Sequence, residues 1–207
     1  MNQRWKRVIY KVWSPVYDKI FNSGKFLTSR MKVFEQESFT IDQKILFVGV
    51  GTGADLELIV GKEQSDITTI DYSEAMLNKA REKFKETTIQ FLQMDAQHMS
   101  FPNHQFDVIV SSLVLSVVPN PQQCCFREML RTLKPNGTLI IFDKFSPKGQ
   151  QLSLMKRMIR PLIKLLGTDI GINFEKLYEP FREELSIMED SAIMLQGMYR
   201  KIKIKNK

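Results

Sequence analysis

Ile45-Leu-Phe-Val-Gly-Val-Gly-Thr-Gly-Ala-Asp55 is the stretch that decides the fold. An apolar run, Ile45 to Val48, stops at three alternating glycines, Gly49, Gly51 and Gly53, and a helical pattern begins near Ala54. A buried strand that runs into a glycine-rich turn and then a helix start has the form of a loop that cradles a nucleotide-type cofactor. Glycine permits positive φ in such a turn and removes the Cβ that would hold a ligand off the backbone. A second apolar run, Ile67-Thr-Thr-Ile70, ends at Asp71, where a carboxylate can accept hydrogen bonds from both hydroxyls of a ribose. Together they imply a nucleoside-containing cofactor without saying which one.

The alternation continues outward. Strand 67–71 leads to a helix capped by Ser73, with Met76, Leu77, Ala80 and Phe84 on one face. Strand 89–93 ends near Asp95. Strand 106–111 precedes a helix begun at Asn120-Pro121 and stopped at Asn136-Gly137, and strand 138–142 follows. Near-continuous apolar strands, each followed by a helix, predict an α/β domain whose parallel sheet is covered on both faces. Upstream, residues 3–38 read as amphipathic helices broken near Ser14-Pro15 and Asn22-Ser-Gly24. Downstream, 150–166 reads as a basic amphipathic helix interrupted at Pro161, with Leu152, Met155, Met158, Ile159, Leu162, Ile163 and Leu166 as its apolar stripe. Strands at about 184–195 and 197–205 close the chain. The last alternates Ile202 and Ile204 with Lys201, Lys203 and Lys205, the pattern of a lysine-guarded strand near a sheet edge. One domain is expected, with a helical cap over 1–40, a cofactor core over 44–143, a substrate-side insertion over 144–182 and terminal strands over 183–207.

Apolar residues make up 43% of the 207 positions and charged residues 26%, the balance of a soluble globular domain. No apolar run approaches the roughly 18 residues that span a bilayer. The basic start, Met-Asn-Gln-Arg-Trp-Lys-Arg, lacks the apolar stretch of a signal peptide. The two cysteines are the neighbours Cys124 and Cys125, expected to pack in the core rather than bridge or bind metal, so the cytoplasm is the expected compartment. The net charge of +7 is uneven. Residues 1–34 hold Arg4, Lys6, Arg7, Lys11, Lys19, Lys25, Arg30 and Lys32 against Asp18 alone, and residues 144–168 hold Lys144, Lys148, Lys156, Arg157, Arg160 and Lys164 with no acid. The remainder is acidic. Basic segments studded with Trp5, Trp13, Met155 and Met158 suit an anionic membrane surface, here the inner membrane face. They also suit an anionic soluble substrate or nucleic acid, and lysines that only solvate a core-covering helix remain an alternative.

Gly49-x-Gly51-x-x-Ala54 formally satisfies the dinucleotide fingerprint, so a nicotinamide cofactor competes. Three features tilt the choice. Gly53 opens the turn further, Asp95 in Gln93-Met-Asp-Ala-Gln97 stands where it can meet an adenine amine, and Phe106-Asp-Val-Ile-Val-Ser111 ends at the same crevice. The Tyr-x-x-x-Lys match, Tyr199 with Lys203, falls in the terminal strand and cannot serve a reductase there.

On these residues, with Leu133-Lys-Pro-Asn-Gly-Thr138, the chain resembles the class I S-adenosylmethionine-dependent methyltransferases over about residues 44–143. Trp13-Ser-Pro-Val-Tyr-Asp18, Phe142-Asp-Lys-Phe and Gly167-Thr-Asp-Ile170 are similar to segments of the bacterial phosphatidylethanolamine and quinone-biosynthesis members. The resemblance implies a Rossmann-like, doubly wound, seven-stranded sheet in three α/β/α layers, mostly parallel with an antiparallel last strand, and S-adenosylmethionine as cofactor. It assigns Gly49, Val50, Gly51, Thr52 and Gly53 to the amino-acid portion, Asp71 to the ribose, Asp95 and Ala96 to the adenine edge, Tyr72 and Met76 to its face, and Ser111 and Ser112 to the methionine region. Two departures stand out: Phe47 occupies a position that is often acidic in the family, and Ser116 one that is often histidine in relatives.

Methyl transfer from a sulfonium is an in-line displacement in which alignment can dominate, and a base is needed only if the nucleophile arrives protonated. Tyr17, as a closing aromatic, and Asp143, at the end of the fifth strand, are the candidate catalytic residues. His98 and His104 flank the Phe101-Pro102 turn and read as solvated loop residues. Ser111-Ser-Leu-Val114 lacks the tetrad of enzymes that methylate planar nitrogens of nucleic acids. The expected acceptor is a lipid amine or quinone-like molecule at the membrane surface, or alternatively a soluble metabolite; a cofactor-binding module without turnover is the reading from another class.

Overall fold

The computed structural model describes residues 23–60, 66–118, 124–146, 158–162 and 168–207. Tyr17, Trp5, Trp13, most of the cap and most of the basic helix lie outside them. Strands β1 (Lys44–Val48), β2 (Asp66–Asp71), β3 (Gln90–Gln93), β4 (Phe106–Ser112), β5 (Leu133–Lys144), β6 (Leu185–Met194) and β7 (Tyr199–Asn206) form one sheet in the order β3-β2-β1-β4-β5-β7-β6. The first five pair in parallel, and β7 runs antiparallel between β5 and β6. The predicted mostly parallel, seven-stranded sheet is therefore observed, with both terminal strands antiparallel to their neighbours.

Strands buried on both sides need apolar residues at successive positions. Ile45 and Phe47 join Val108, Val110, Ile140 and Phe142 on one face, beneath helices α1 (Gly24–Phe34), α2 (Leu56–Ile59) and α3 (Glu74–Lys83). Leu46 and Val48 join Ile109, Leu139, Ile141, Ile202 and Ile204 on the other, beneath α4 (Cys125–Thr132) and α5 (Phe174–Tyr178). Ser73 caps α3 as expected, its hydroxyl accepting from the Met76 N–H at 3.4 Å. The strand order reverses between β1 and β4, and the glycine turn sits at that switch point, where open α/β sheets bind ligands.

The structure refines three sequence expectations. The helix before β5 stops at Thr132, and Leu133 already pairs with Phe106; Lys134 to Gly137 form an irregularity inside β5, with Asn136 at φ +58°. Pro161 lies inside the described helical segment over 158–162, and 163–167 lie outside the described residues. Finally, β7 lies next to the sheet edge, as expected, but its lysines do more than guard it. Lys201 is 3% exposed and bonds Glu37 at 2.8 Å and Glu189 at 3.0 Å, while Lys203 also reaches Glu37 at 2.8 Å.

Glu37 thus ties the segment after α1 to β7 in the antiparallel part of the sheet. Burial would raise its pKa, but the two lysine bonds and charges outweigh that and hold it below the usual carboxylate range. A carboxylate with a depressed folded pKa adds stability above its unfolded pKa, and this is lost as pH falls through the folded value. Glu37→Gln is expected to destabilise the protein by about 3 kcal/mol, near the lower end for breaking a buried pair because Glu189 still faces Lys201. Urea denaturation at neutral pH checks this, and the gap between wild type and variant should shrink below about pH 4.

Candidate active site

The described residues singled out for cofactor binding lie at, or follow, the C-terminal ends of β1, β2, β3 and β4. Gly49, Gly51 and Gly53 take φ of +72°, +56° and +83°. They differ in what surrounds them. A Cβ on Gly49 would stand 2.2 Å from Val114 Cγ2, and one on Gly53 2.6 Å from Phe84 Cε2, whereas one on Gly51 would meet nothing within 4 Å. Gly49 and Gly53 are required by packing, and Gly51 presents bare backbone to open space. Val50 and Thr52 between them are buried.

Asp71 ends β2 and braces the turn. Its Oδ2 accepts from the Gly51 N–H at 2.8 Å and its Oδ1 from the Ser73 N–H at 2.8 Å. Burial pushes its carboxyl above the ordinary value despite these bonds. Tyr72 and Met76 follow, the first half-buried and the second buried. Asp95 comes after β3 and accepts from the Gln97 N–H at 2.9 Å, which shapes the turn carrying buried Ala96.

At the end of β4 the two serines diverge, because successive residues face opposite sides of a sheet. Ser111 is fully buried and its hydroxyl has no hydrogen-bond partner. Ser112 instead donates to Asp55 Oδ2 at 2.5 Å, and Arg30 of α1 pairs with the other oxygen of Asp55. Neither Arg30 nor Asp55 was singled out from sequence. The available signal was an acid two positions past the last loop glycine, together with an excess of cations in the preceding helix.

Asp143, the last but one residue of β5, has no solvent exposure. Its oxygens accept from the Ser116 N–H at 3.2 Å and the Lys144 N–H at 2.7 Å. Burial raises its pKa, and it raises that of the Cys125 thiol behind it, which burial alone already lifts most. Cys125 is core packing, as expected, and both cysteines are free. His98 and His104 are exposed, in keeping with loop roles. Among the described residues no cluster of His, Cys, Asp and Glu is placed to hold a metal ion. No described helix is long and apolar enough to cross a membrane.

The loop fits an adenosyl cofactor on three observations: open space before Gly51, a carboxylate braced on the loop backbone, and an orphaned buried hydroxyl on Ser111. Comparison with known proteins agrees. A methyltransferase domain model matches residues 46–141. Phosphatidylethanolamine N-methyltransferase from Cereibacter sphaeroides is 29% identical over 194 residues, covering 92% of each chain. A ubiquinone/menaquinone biosynthesis C-methyltransferase from Vibrio campbellii is 30% identical over 183 residues, covering 81% of this chain and 69% of that protein. In fold, the chain is similar to a structure of a Haloferax volcanii complex between the Trm112 methyltransferase activator and a methyltransferase, with a TM-score of 0.76 at 15% identity over 97% and 96% of the chains. It is likewise similar to a Thermotoga maritima S-adenosylmethionine-dependent methyltransferase, with a TM-score of 0.69 at 17% identity.

Proposed function

Because the chain belongs to the class I S-adenosylmethionine-dependent methyltransferases, we propose that it methylates a lipid amine or a quinone-like acceptor at an anionic membrane surface. The observation that carries the lipid acceptor is the exposure of apolar side chains in the insertion after β5. Met158 is 81% exposed, Leu162 64% and Ile159 42%. Between them Arg160, partly exposed, pairs with Asp169 at 2.7 Å. A helix that only covered the core would bury its apolar residues; over the described segment 158–162 Met158, Ile159 and Leu162 are exposed around Arg160, as in an interfacial helix. The names of the two relatives above support the same class of acceptor.

When bound, S-adenosylmethionine supplies a methyl group on a sulfonium, which an acceptor displaces in line with the leaving thioether. Gly49 to Gly53 would hold its amino-acid portion, Asp71 its ribose, Asp95 and Ala96 the adenine edge, Tyr72 and Met76 the ring face, and Ser111 the methionine region. Asp143, fixed by two backbone N–H groups, places negative charge beneath the acceptor site. There it would attract an amine and stabilise positive charge developing on nitrogen. Tyr17, outside the described residues, would close over the sulfonium.

Incubation with methyl-labelled S-adenosylmethionine and vesicles containing phosphatidylethanolamine and anionic lipid tests the proposal. Label is expected in the amine lipid, with co-sedimentation that weakens as salt rises. Label found in a quinone precursor selects the other acceptor named. Label found only in water-soluble metabolites, or no transfer at all, defeats the lipid assignment. Asp143→Asn is expected to lower kcat/KM for an amine acceptor by about 10- to 100-fold, with cofactor affinity, read by calorimetry, held within about 2-fold.

A further inference from the structure

Burying a charge is costly unless an opposite charge or enough hydrogen bonds compensate it. The buried cations among the described residues, Arg30, Arg200 and Lys201, each pair with a carboxylate, Asp55, Asp190 and Glu37 respectively. Lys144 departs from this pattern. It is half-buried at the end of β5, and a hydroxyl and a ring stand where the others have a carboxylate. Its Nζ donates to Thr168 Oγ1 at 2.8 Å and lies 5.8 Å from the centre of the Tyr199 ring. That ring distance is near the outer limit of about 6 Å for a useful cation–π contact, and the neutral hydroxyl takes one of three donors. Burial accordingly lowers the pKa of the ammonium, and the charge of Asp143 next to it offsets only part of the effect.

The position of Lys144 suggests what compensates it. Successive strand residues face opposite sides of a sheet. Asp143 therefore turns towards the face that holds Cys125, and Lys144 towards the face that holds Tyr199 and, against it, Phe26 of α1. Both stand at the C-terminal end of β5, which adjoins β4 and its terminal Ser111 and Ser112. Thr168 belongs to the insertion after β5. The remaining donors of Lys144 thus lie at the functional edge of the sheet, between α1 and the insertion, with a carboxylate one residue away. A ligand seated over that strand end meets a negative group and a positive group in succession.

We infer that Lys144 binds an oxyanion of the methyl acceptor: the phosphodiester of an amine lipid or a phenolate oxygen of a quinol-type molecule. In the lipid, the ammonium meets Asp143 and the neighbouring phosphate meets Lys144. In the quinol, the ring oxygen takes the place of the phosphate. An acceptor without such an oxygen leaves the lysine uncompensated, so Lys144 discriminates against neutral molecules of the same shape. This rests on the acceptor class proposed above.

Neutral analogues of the acceptors provide the test. Protein saturated with S-adenosylhomocysteine is titrated calorimetrically with dibutanoylphosphatidylethanolamine and with its phosphate methyl triester, which keeps the amine and loses the phosphate charge. A short-chain hydroquinone and its dimethyl ether form the second pair. Wild type is expected to bind the ionisable member of one pair about 10- to 100-fold more tightly than its neutral partner, as for a charge-assisted hydrogen bond. Lys144→Met should abolish that preference yet leave the neutral member within about 2-fold, and Lys144→Arg should restore most of it. The pair that responds distinguishes the phosphodiester from the phenolate. The inference fails if wild type prefers neither ionisable member or binds none of the four. It fails equally if Lys144→Met weakens both members of a pair alike, the mark of a lysine that only tethers Thr168. The wild-type comparison uses no variant, so it stands even if Lys144→Met unfolds. Labelled methyl transfer to diester and triester with equal kcat/KM rejects the role of Lys144 while the lipid acceptor stands. Label in neither lipid rejects the lipid acceptor, and the hydroquinone pair then decides for or against Lys144.

Discussion

Gly49→Ala is expected to lower the stability of the protein by about 2–5 kcal/mol and to abolish measurable cofactor binding at ordinary concentrations. Two penalties combine. At φ +72° an L side chain is strained, by roughly 1–2 kcal/mol. The new Cβ would also stand 2.2 Å from Val114 Cγ2, and Val114 is 6% exposed within the core, so it cannot swing aside freely. Overpacking of this kind costs about 1–3 kcal/mol. Against a total stability of about 5–15 kcal/mol this is a large fraction. Gly51→Ala separates packing from binding. Its Cβ meets nothing within 4 Å, so only the backbone strain at φ +56° acts on folding. The methyl group instead enters the open side of the loop. Denaturant midpoints should therefore fall steeply for Gly49→Ala and by about 1 kcal/mol for Gly51→Ala, whereas both should lose S-adenosylmethionine in calorimetry. A Gly51→Ala protein that bound with wild-type affinity would move the cofactor off this loop.

The parallel half of the sheet was legible to within a residue or two because strands covered on both faces leave an unmistakable apolar run. Lys44–Val48 and Asp66–Asp71 each keep four consecutive buried residues. Legibility failed where tertiary pairing overrode local signals. Pro135-Asn-Gly137 has the composition of a helix stop followed by a turn, but Leu133 is already drawn into register with Phe106, which starts β5 before the turn. The lysines of β7 alternate as those of a guarded edge do. The positions of Glu37, far away in sequence, and of Glu189 on β6 show that Lys201 is paired and buried.

The candidate site divides along the same line. Residues that end a strand, such as Asp71, Ser111 and Asp143, are fixed by the strand itself and could be named from sequence. Arg30 and Asp55 belong to a contact between a cap helix and a loop, 25 residues apart, and no local pattern encodes their meeting. Ser112 illustrates the limit of a one-residue step. It neighbours Ser111 but faces the opposite side of the sheet, so its hydroxyl serves Asp55.

Asp71→Ala is expected to reduce S-adenosylmethionine affinity by at least about 100-fold. Two ribose hydroxyls donating to an ionised carboxylate contribute about 1.5–3 kcal/mol each, and alanine removes both. It also strips the Gly51 and Ser73 N–H groups of their shared acceptor, which frees the loop that Asp71 braces. Asp71→Asn should fall between, since one amide oxygen can keep one N–H bond while its NH2 faces the other. The wild-type carboxyl adds a pH signature. Burial raises its folded pKa, so ionisation opposes folding: this group favours the fold most below its unfolded pKa, and that contribution is lost as pH rises through the folded value. Cofactor hydroxyls favour the ionised form and so pull in the other direction. Binding should consequently release a proton when the pH lies near the raised pKa and weaken as pH falls below it. Calorimetry in two buffers of different ionisation enthalpy detects that proton. Its absence across the acidic range, together with an unchanged affinity in Asp71→Ala, would remove Asp71 from the ribose and leave it only its role in bracing the loop.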